Sequence, residues 1–227
     1  MSEHQQSVIN KKLLCRTEYF DYTHPSVEAL FIQLVADNPR DLAVEIYYLV
    51  RDKYIYNPYR FVDGAISMKA SYCTVHDEGY CIPKASLMVA LCRRAGIPAR
   101  IGLADVKNHL SSPKLLALIK TDVFSMHGYV QMLINGQWLK ATPAFNRSLC
   151  EKFGTDPLEF DGQQDSIFQP FTTDGQRHME YLVDYGTFDE LPYDFIMQNF
   201  QKHYPHLLAN MDKLEVELAL EQEETTT

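Results

Sequence analysis

The stretch Gly79–Arg100, GYCIPKASLMVALCRRAGIPAR, reads as a turn, a helix that begins at a cysteine, and the entry into a strand. Pro83 falls in the first turn, where its missing N–H leaves no bond unmade. Ala85, Leu87, Met88, Val89, Ala90 and Leu91 make the segment apolar nearly all round, the mark of a helix inside a domain. Arg93 and Arg94 suit the negative end of its dipole, Gly96 supplies the stop and Pro98 forbids continuation. Cys81 is thereby placed at the positive end of a buried helix, where a thiolate is stabilised and the thiol pKa is expected to fall. The competing reading is a small core residue, the commonest fate of a single cysteine and one that fits Cys92 well.

Downstream, the run Met126–Asn146, MHGYVQMLINGQWLKATPAFN, has Asn-Gly between two alternating segments, the strongest short hairpin signal. A two-residue turn at Asn135-Gly136 sets Ile134 against Gln137, Leu133 against Trp138, Gln131 against Lys140, Tyr129 against Thr142 and His127 against Ala144. Val130, Met132, Ile134 and Leu139 then face a core, and His127 and Thr142 become diagonal neighbours on the opposite face. Such neighbours lie roughly 7–8 Å apart along the backbone, within reach of an imidazole and a short polar side chain. A lone histidine is more often structural than catalytic. His127 is singled out because a cysteine at a helix start accompanies it; His76, His109, His178, His203 and His206 have no such companion.

Together the two blocks resemble the cysteine and histidine motifs of the transglutaminase-like superfamily, from about Tyr47 to Asn146. That family has a papain-like core and a Cys-His-Asp triad. It expects a histidine opening a strand, an NG-type hairpin with a tryptophan, and an Asp-Pro at its close. His127, Asn135-Gly136, Trp138 and Pro143 occupy those places, and Thr142 stands where the aspartate is expected. The resemblance implies an α+β fold, with a buried helix from Cys81 packed on an antiparallel β-sheet and a helix ending in VRDKYIY (residues 50–56) beneath it. It implies Cys81 as nucleophile, His127 as base and Thr142 in the third position. Because a hydroxyl can donate as well as accept, Thr142 does not dictate the imidazole tautomer. Three possibilities stay open: Thr142 serves, a nearby Asn146, Asp161 or Asp165 substitutes, or catalysis is lost and the domain binds peptides. The implied reaction is hydrolysis of a peptide or amide bond through a thioester, with transfer to an amine as the second choice and no cofactor.

Length and composition fit that picture. A chain of 227 residues with 46% hydrophobic content holds one sizeable core. We expect a loose N-terminus over residues 1–15, one domain over 16–206, and an acidic helix and tail over 207–227. The net charge of −9, without a basic stripe, argues against nucleic acid. Nothing resembles a membrane span or a secretory leader. Five cysteines, an odd number, suit a reducing cytoplasm. The expected partner is a peptide or protein substrate, with oligomeric state open. A zinc site at Cys73, His76 and Cys81 has unorthodox spacing and lacks a second Cys/His pair.

Elsewhere, Ser26 reads as the cap of a helix reaching Val35, and Pro39 opens a second helix ending near Tyr54. Tyr56–Ala70 reads as loop, Ala99–Val106 as strand and Pro113–Ile119 as helix. Residues 147–190 look irregular apart from a short strand at Tyr181–Tyr185. Leu191–Tyr204 and Lys213–Glu224 look helical.

Overall fold

The computed structural model describes residues 11–168, 172, 175–210 and 214. Packed chain begins inside the stretch expected to be loose: Leu13 is buried, and its carbonyl accepts the N–H of Ala99. Helix α1 (Pro25–Phe31) is capped by His24, not Ser26, whose own N–H donates to the imidazole. It stops short of Val35 because the Glu45 carboxylate takes the N–H groups of Val35 and Ala36 and turns the chain. Helix α2 (Pro39–Lys53) starts where Asn38 accepts from the Asp41 N–H, and it buries Ala43, Ile46, Tyr47 and Val50.

Where the sequence suggested loop, residues Pro58–Met68 form 3₁₀ turns kinked at Gly64, followed by helix α3 (Ala70–His76). Lys69 offers α3 no side-chain cap. The Tyr19 carbonyl and the Asp21 carboxylate instead receive the N–H groups of Ala70 and Ser71. A helix whose first donors are met by residues about fifty positions away carries no local start signal. Between these elements, β1 (Ile55–Tyr56) pairs in parallel with β2 (Glu78–Gly79).

Helix α4 (Cys81–Arg94) is buried along nearly its whole length, as its composition implies. Two of its polar residues are buried for identifiable reasons. Lys84 Nζ donates to the Arg51 and Tyr54 carbonyls at 2.9 and 2.7 Å, closing the C-terminal end of α2. Arg93 donates to the carbonyls of Cys15, Ala99 and Asp189, tying three segments together.

Four antiparallel strands lie against α4 in the order β5-β4-β3-β6: β3 (Ala99–Asn108), β4 (Val123–Ile134), β5 (Gln137–Ala141) and β6 (Met179–Phe188). The hairpin register is the one the Asn-Gly turn dictates, from Ile134↔Gln137 to Val130↔Ala141. Val130, Met132, Ile134 and Leu139 are buried in the main core with α4. Ala104, Val106, Tyr129, Phe168 and Met179 form a second, smaller core. Helix α5 (Pro113–Ile119) is capped by Ser112.

Residues 147–190 are more regular than expected. They hold α6 (Arg147–Phe153), ended by left-handed Gly154, and β6, longer than the five residues anticipated. Strand β6 lies at the sheet edge with Leu182 and Val183 exposed, so pairing with β3 and not apolar alternation defines it. Helices α7 (Tyr193–His203) and α8 (Pro205–Leu208) follow. The helix expected at 213–224 lies, apart from residue 214, outside the described residues. No helix among the described residues is long and apolar enough to cross a membrane.

Candidate active site

Cys81 opens α4 with no side-chain cap before it, so the first-turn N–H groups are free to face the sulfur. The N–H groups of Gly128, Ile82 and Cys81 itself pull the thiol pKa down, but burial prevails and pushes it up to about 11. The expected low-pKa thiolate is therefore corrected. In this apolar setting the cost of desolvating a thiolate outweighs three N–H dipoles, and the resting group is a thiol.

Gly128 is what brings β4 so close. A Cβ built on it would lie 3.1 Å from the Cys81 carbonyl oxygen and 3.2 Å from Ile82 Cα, so the strand rests almost directly on the helix start. His127, the preceding residue, is placed by a β-bulge. Phe124 pairs with Val106 and His127 with Ala104, so two residues of β4 stand against Asp105 alone. Within the bulge Met126 has φ +61°, and its N–H donates to the buried Asp105 carboxylate at 3.1 Å. Tyr185 donates to the other carboxylate oxygen at 2.7 Å, and Ser125 N–H donates to the Tyr204 hydroxyl at 2.6 Å. The added residue puts Phe124 and His127, three apart, on one face of the sheet, and both line the same cavities.

Two cavities meet at His127. The smaller, about 80 Å³, is lined by Cys81 and His127 together with Tyr56, Phe124, Met126 and Tyr204. The larger, about 420 Å³, has His127 at its wall and extends past Tyr56, Phe145 and His178. His127 is only 3% exposed, and burial lowers its pKa to about 4. Its Nε2 is buried with no hydrogen-bond partner, and its ring lies 5.7 Å from that of Phe168. Near neutrality the site thus holds an uncharged thiol and an uncharged imidazole.

The other residues singled out from the sequence are distributed unevenly. Thr142 is 1% exposed; its N–H donates to the Ser166 carbonyl, and its Oγ1 has no hydrogen-bond partner. Asn146 accepts the Tyr56 N–H and donates to Ser148 Oγ, which fixes the wall of the larger cavity. Asp161 is exposed and accepts the N–H groups of Gln163 and Gln164. Asp165 is exposed and accepts the Lys140 N–H. These bonds direct all three substitutes to backbone or hydroxyl partners other than His127. The Cys73–His76–Cys81 zinc alternative fails, since no three His, Cys, Asp or Glu groups gather into a metal cluster among the described residues. Cys73 is buried under Gly79, and exposed His76 stacks on Tyr72.

Residues 31–143 match the transglutaminase-like superfamily, a stretch that holds α2, α4, the bulge and the hairpin. This core belongs to the transglutaminase-like superfamily. No curated protein sequence matches the chain. Among solved structures, a candidate cysteine protease from Cytophaga hutchinsonii is similar at 19% identity, over 58% of this chain and 40% of that one, with a TM-score of 0.42. The transglutaminase-like match closes at Pro143, so Phe145 and His178, which line the larger cavity, and Phe168, whose ring lies beside His127, fall beyond it. Sequence reasoning missed Asp105, which acts through the bulge and leaves no periodic signal.

Proposed function

We propose that this transglutaminase-like domain is a cysteine-dependent acyl-transfer enzyme that hydrolyses a peptide or amide bond in a peptide or protein substrate. The observation that carries the proposal is that Cys81, at the mouth of a buried helix, and His127 line one small cavity. His127, uncharged, takes the proton from Cys81 Sγ as the sulfur attacks the carbonyl carbon. The negative oxygen that forms faces backbone N–H groups at the helix start, with Gly128 N–H a second donor beside that of Cys81. The C–N bond breaks, the imidazolium gives its proton to the departing amine, and a thioester remains. Water then attacks the thioester while His127 accepts its proton; the acid leaves and the thiol is restored. We assign Nδ1 to the sulfur, which leaves the buried Nε2 for an orienting partner. Thiol chemistry of this kind suits a reducing compartment, and we place the protein in the cytoplasm.

A second reading, a peptide-binding domain without catalysis, is favoured by the unpartnered Nε2 and by Thr142 in place of an acid. Mass spectrometry after incubation with an amide-mimicking electrophile separates the two. Labelling at Cys81 that is lost in His127→Ala supports the enzyme. Equal labelling of both proteins means that the histidine does not activate the sulfur.

A further inference from the structure

On the sheet face that carries His127, two hydroxyls are buried without a hydrogen-bond partner, as Nε2 is: Thr142 Oγ1 and the Tyr181 hydroxyl. Tyr181 pairs with Val106 on β6, and Val106 pairs with Phe124 on β4, so its side chain shares the face of Phe124 and His127. Thr142 follows Ala141, the last β5 residue in register, and one further step sets it opposite Tyr129 on that same face. Burial raises the Tyr181 pKa, while the Thr142 hydroxyl and the Phe168 N–H draw it down, which places both near the phenol oxygen. Phe168 in turn lies against the His127 ring. Three polar atoms removed from water and left unpaired cost on the order of 1–3 kcal/mol each, unless a small adjustment joins them.

We propose that Tyr181 is a positioning residue, its phenol oxygen accepting from the Thr142 hydroxyl so that Thr142 is left to accept from His127 Nε2–H and replaces the orienting carboxylate. The proposal rests on the reading of Cys81 and His127 as nucleophile and base. Alone, a threonine hydroxyl can donate to or accept from an imidazole nitrogen and so leaves the tautomer undecided. A phenol oxygen that takes the Thr142 proton from behind leaves Thr142 only lone pairs to offer, so the ring must present an N–H. The imidazole then carries its proton on Nε2, and Nδ1 is left bare toward the sulfur. A neutral chain of this kind orients the ring without stabilising the imidazolium as a carboxylate would. It suits a site in which sulfur and ring begin uncharged.

The test combines Tyr181→Phe, Thr142→Val, the double variant, and Thr142→Asp with and without Tyr181→Phe. Each is followed by the rate of Cys81 acylation by a neutral amide-mimicking electrophile, by ¹⁵N NMR of the His127 tautomer, and by thermal unfolding. Tyr181→Phe should lower the acylation rate roughly tenfold, the weight of one neutral hydrogen bond, with saturation behaviour unchanged. Thr142→Val should fall at least as far, and the double variant no further, because the two hydroxyls act in series. Thr142→Asp should make Tyr181→Phe silent. In the wild type the neutral ring should be protonated on Nε2, and Tyr181→Phe should shift it toward the Nδ1–H form. The idea is overturned if Tyr181→Phe leaves both rate and tautomer at wild-type values, or if the two hydroxyl deletions multiply. The tautomer decides the matter even if His127→Ala labels like the wild type, a result that would sink the nucleophile–base assignment alone.

Discussion

The N–H of Met126 donates to Asp105 Oδ1 at 3.1 Å, across the one residue by which β4 outruns β3. A methionine at φ +61° is strained, and a buried carboxylate is what holds it there. Removing that acceptor should let the bulge relax and turn His127 away from the cavity it shares with Cys81. We expect Asp105→Ala to lose roughly 1–3 kcal/mol of stability, for two stranded donors, and to cut Cys81 acylation at least tenfold. Asp105→Asn keeps an oxygen for the Met126 N–H and should recover most of the rate. Urea melts and labelling rates on the two variants check this; a slow Asp105→Asn of normal stability would assign the effect to charge instead.

Gly128 offers a second test of how closely the strand must approach. The contacts a methyl group would meet at 3.1–3.3 Å are backbone atoms of Cys81 and Ile82, which have little freedom to yield. Gly128→Ala should therefore move β4 off the helix start by a few tenths of an ångström. Overpacking of this kind costs roughly 1–3 kcal/mol, and the Gly128 N–H would no longer be well aimed at the sulfur. Reduced thermal stability with slower Cys81 labelling is expected; unchanged labelling would show that this N–H is not needed.

What could be read from the sequence followed from local rules. The Asn135-Gly136 turn sets its own register, and the Cys81 helix announces itself through an apolar run bounded by Pro83 and Gly96. Helix α3 could not be read, because Tyr19 and Asp21 satisfy its first N–H groups from far along the chain. Lys84 in an apolar helix had no visible reason until the C-terminal carbonyls of α2 came to lie beside it. The thiol pKa was misjudged because position on a helix is local, whereas desolvation depends on everything packed around the sulfur. The third position of the site was the least legible. Thr142 is plain in the sequence, but the hydroxyl that faces it arrives on an edge strand some forty residues later.

The titration of the pair yields a pH profile. His127 is neutral, and able to accept a proton, above a pKa of about 4. Cys81 forms free thiolate only as pH rises through about 11. Alkylation assisted by His127 should therefore hold level across the neutral range and fall as pH drops through about 4. In His127→Ala the level region should vanish, leaving a rate that climbs steadily toward about pH 11. A wild-type profile that instead rises through the free-thiol range near 8.5 would argue for the non-catalytic reading.

The same burial makes His127 an acid-sensitive element of the fold. Its pKa is about 4 in the native protein, against 6.5 for a free imidazole. Between those values the unfolded chain binds a proton that the folded chain refuses, so stability is full above 6.5 and drains away as pH falls toward 4. The loss over that window is about 3 kcal/mol, taking 1.36 kcal/mol per pH unit of separation. His127→Gln has no such proton to refuse. Its stability, from urea melts at several pH values between 7 and 4, should decline less steeply than that of the wild type. Parallel slopes for the two proteins would mean that the imidazole is already hydrated or partnered in solution.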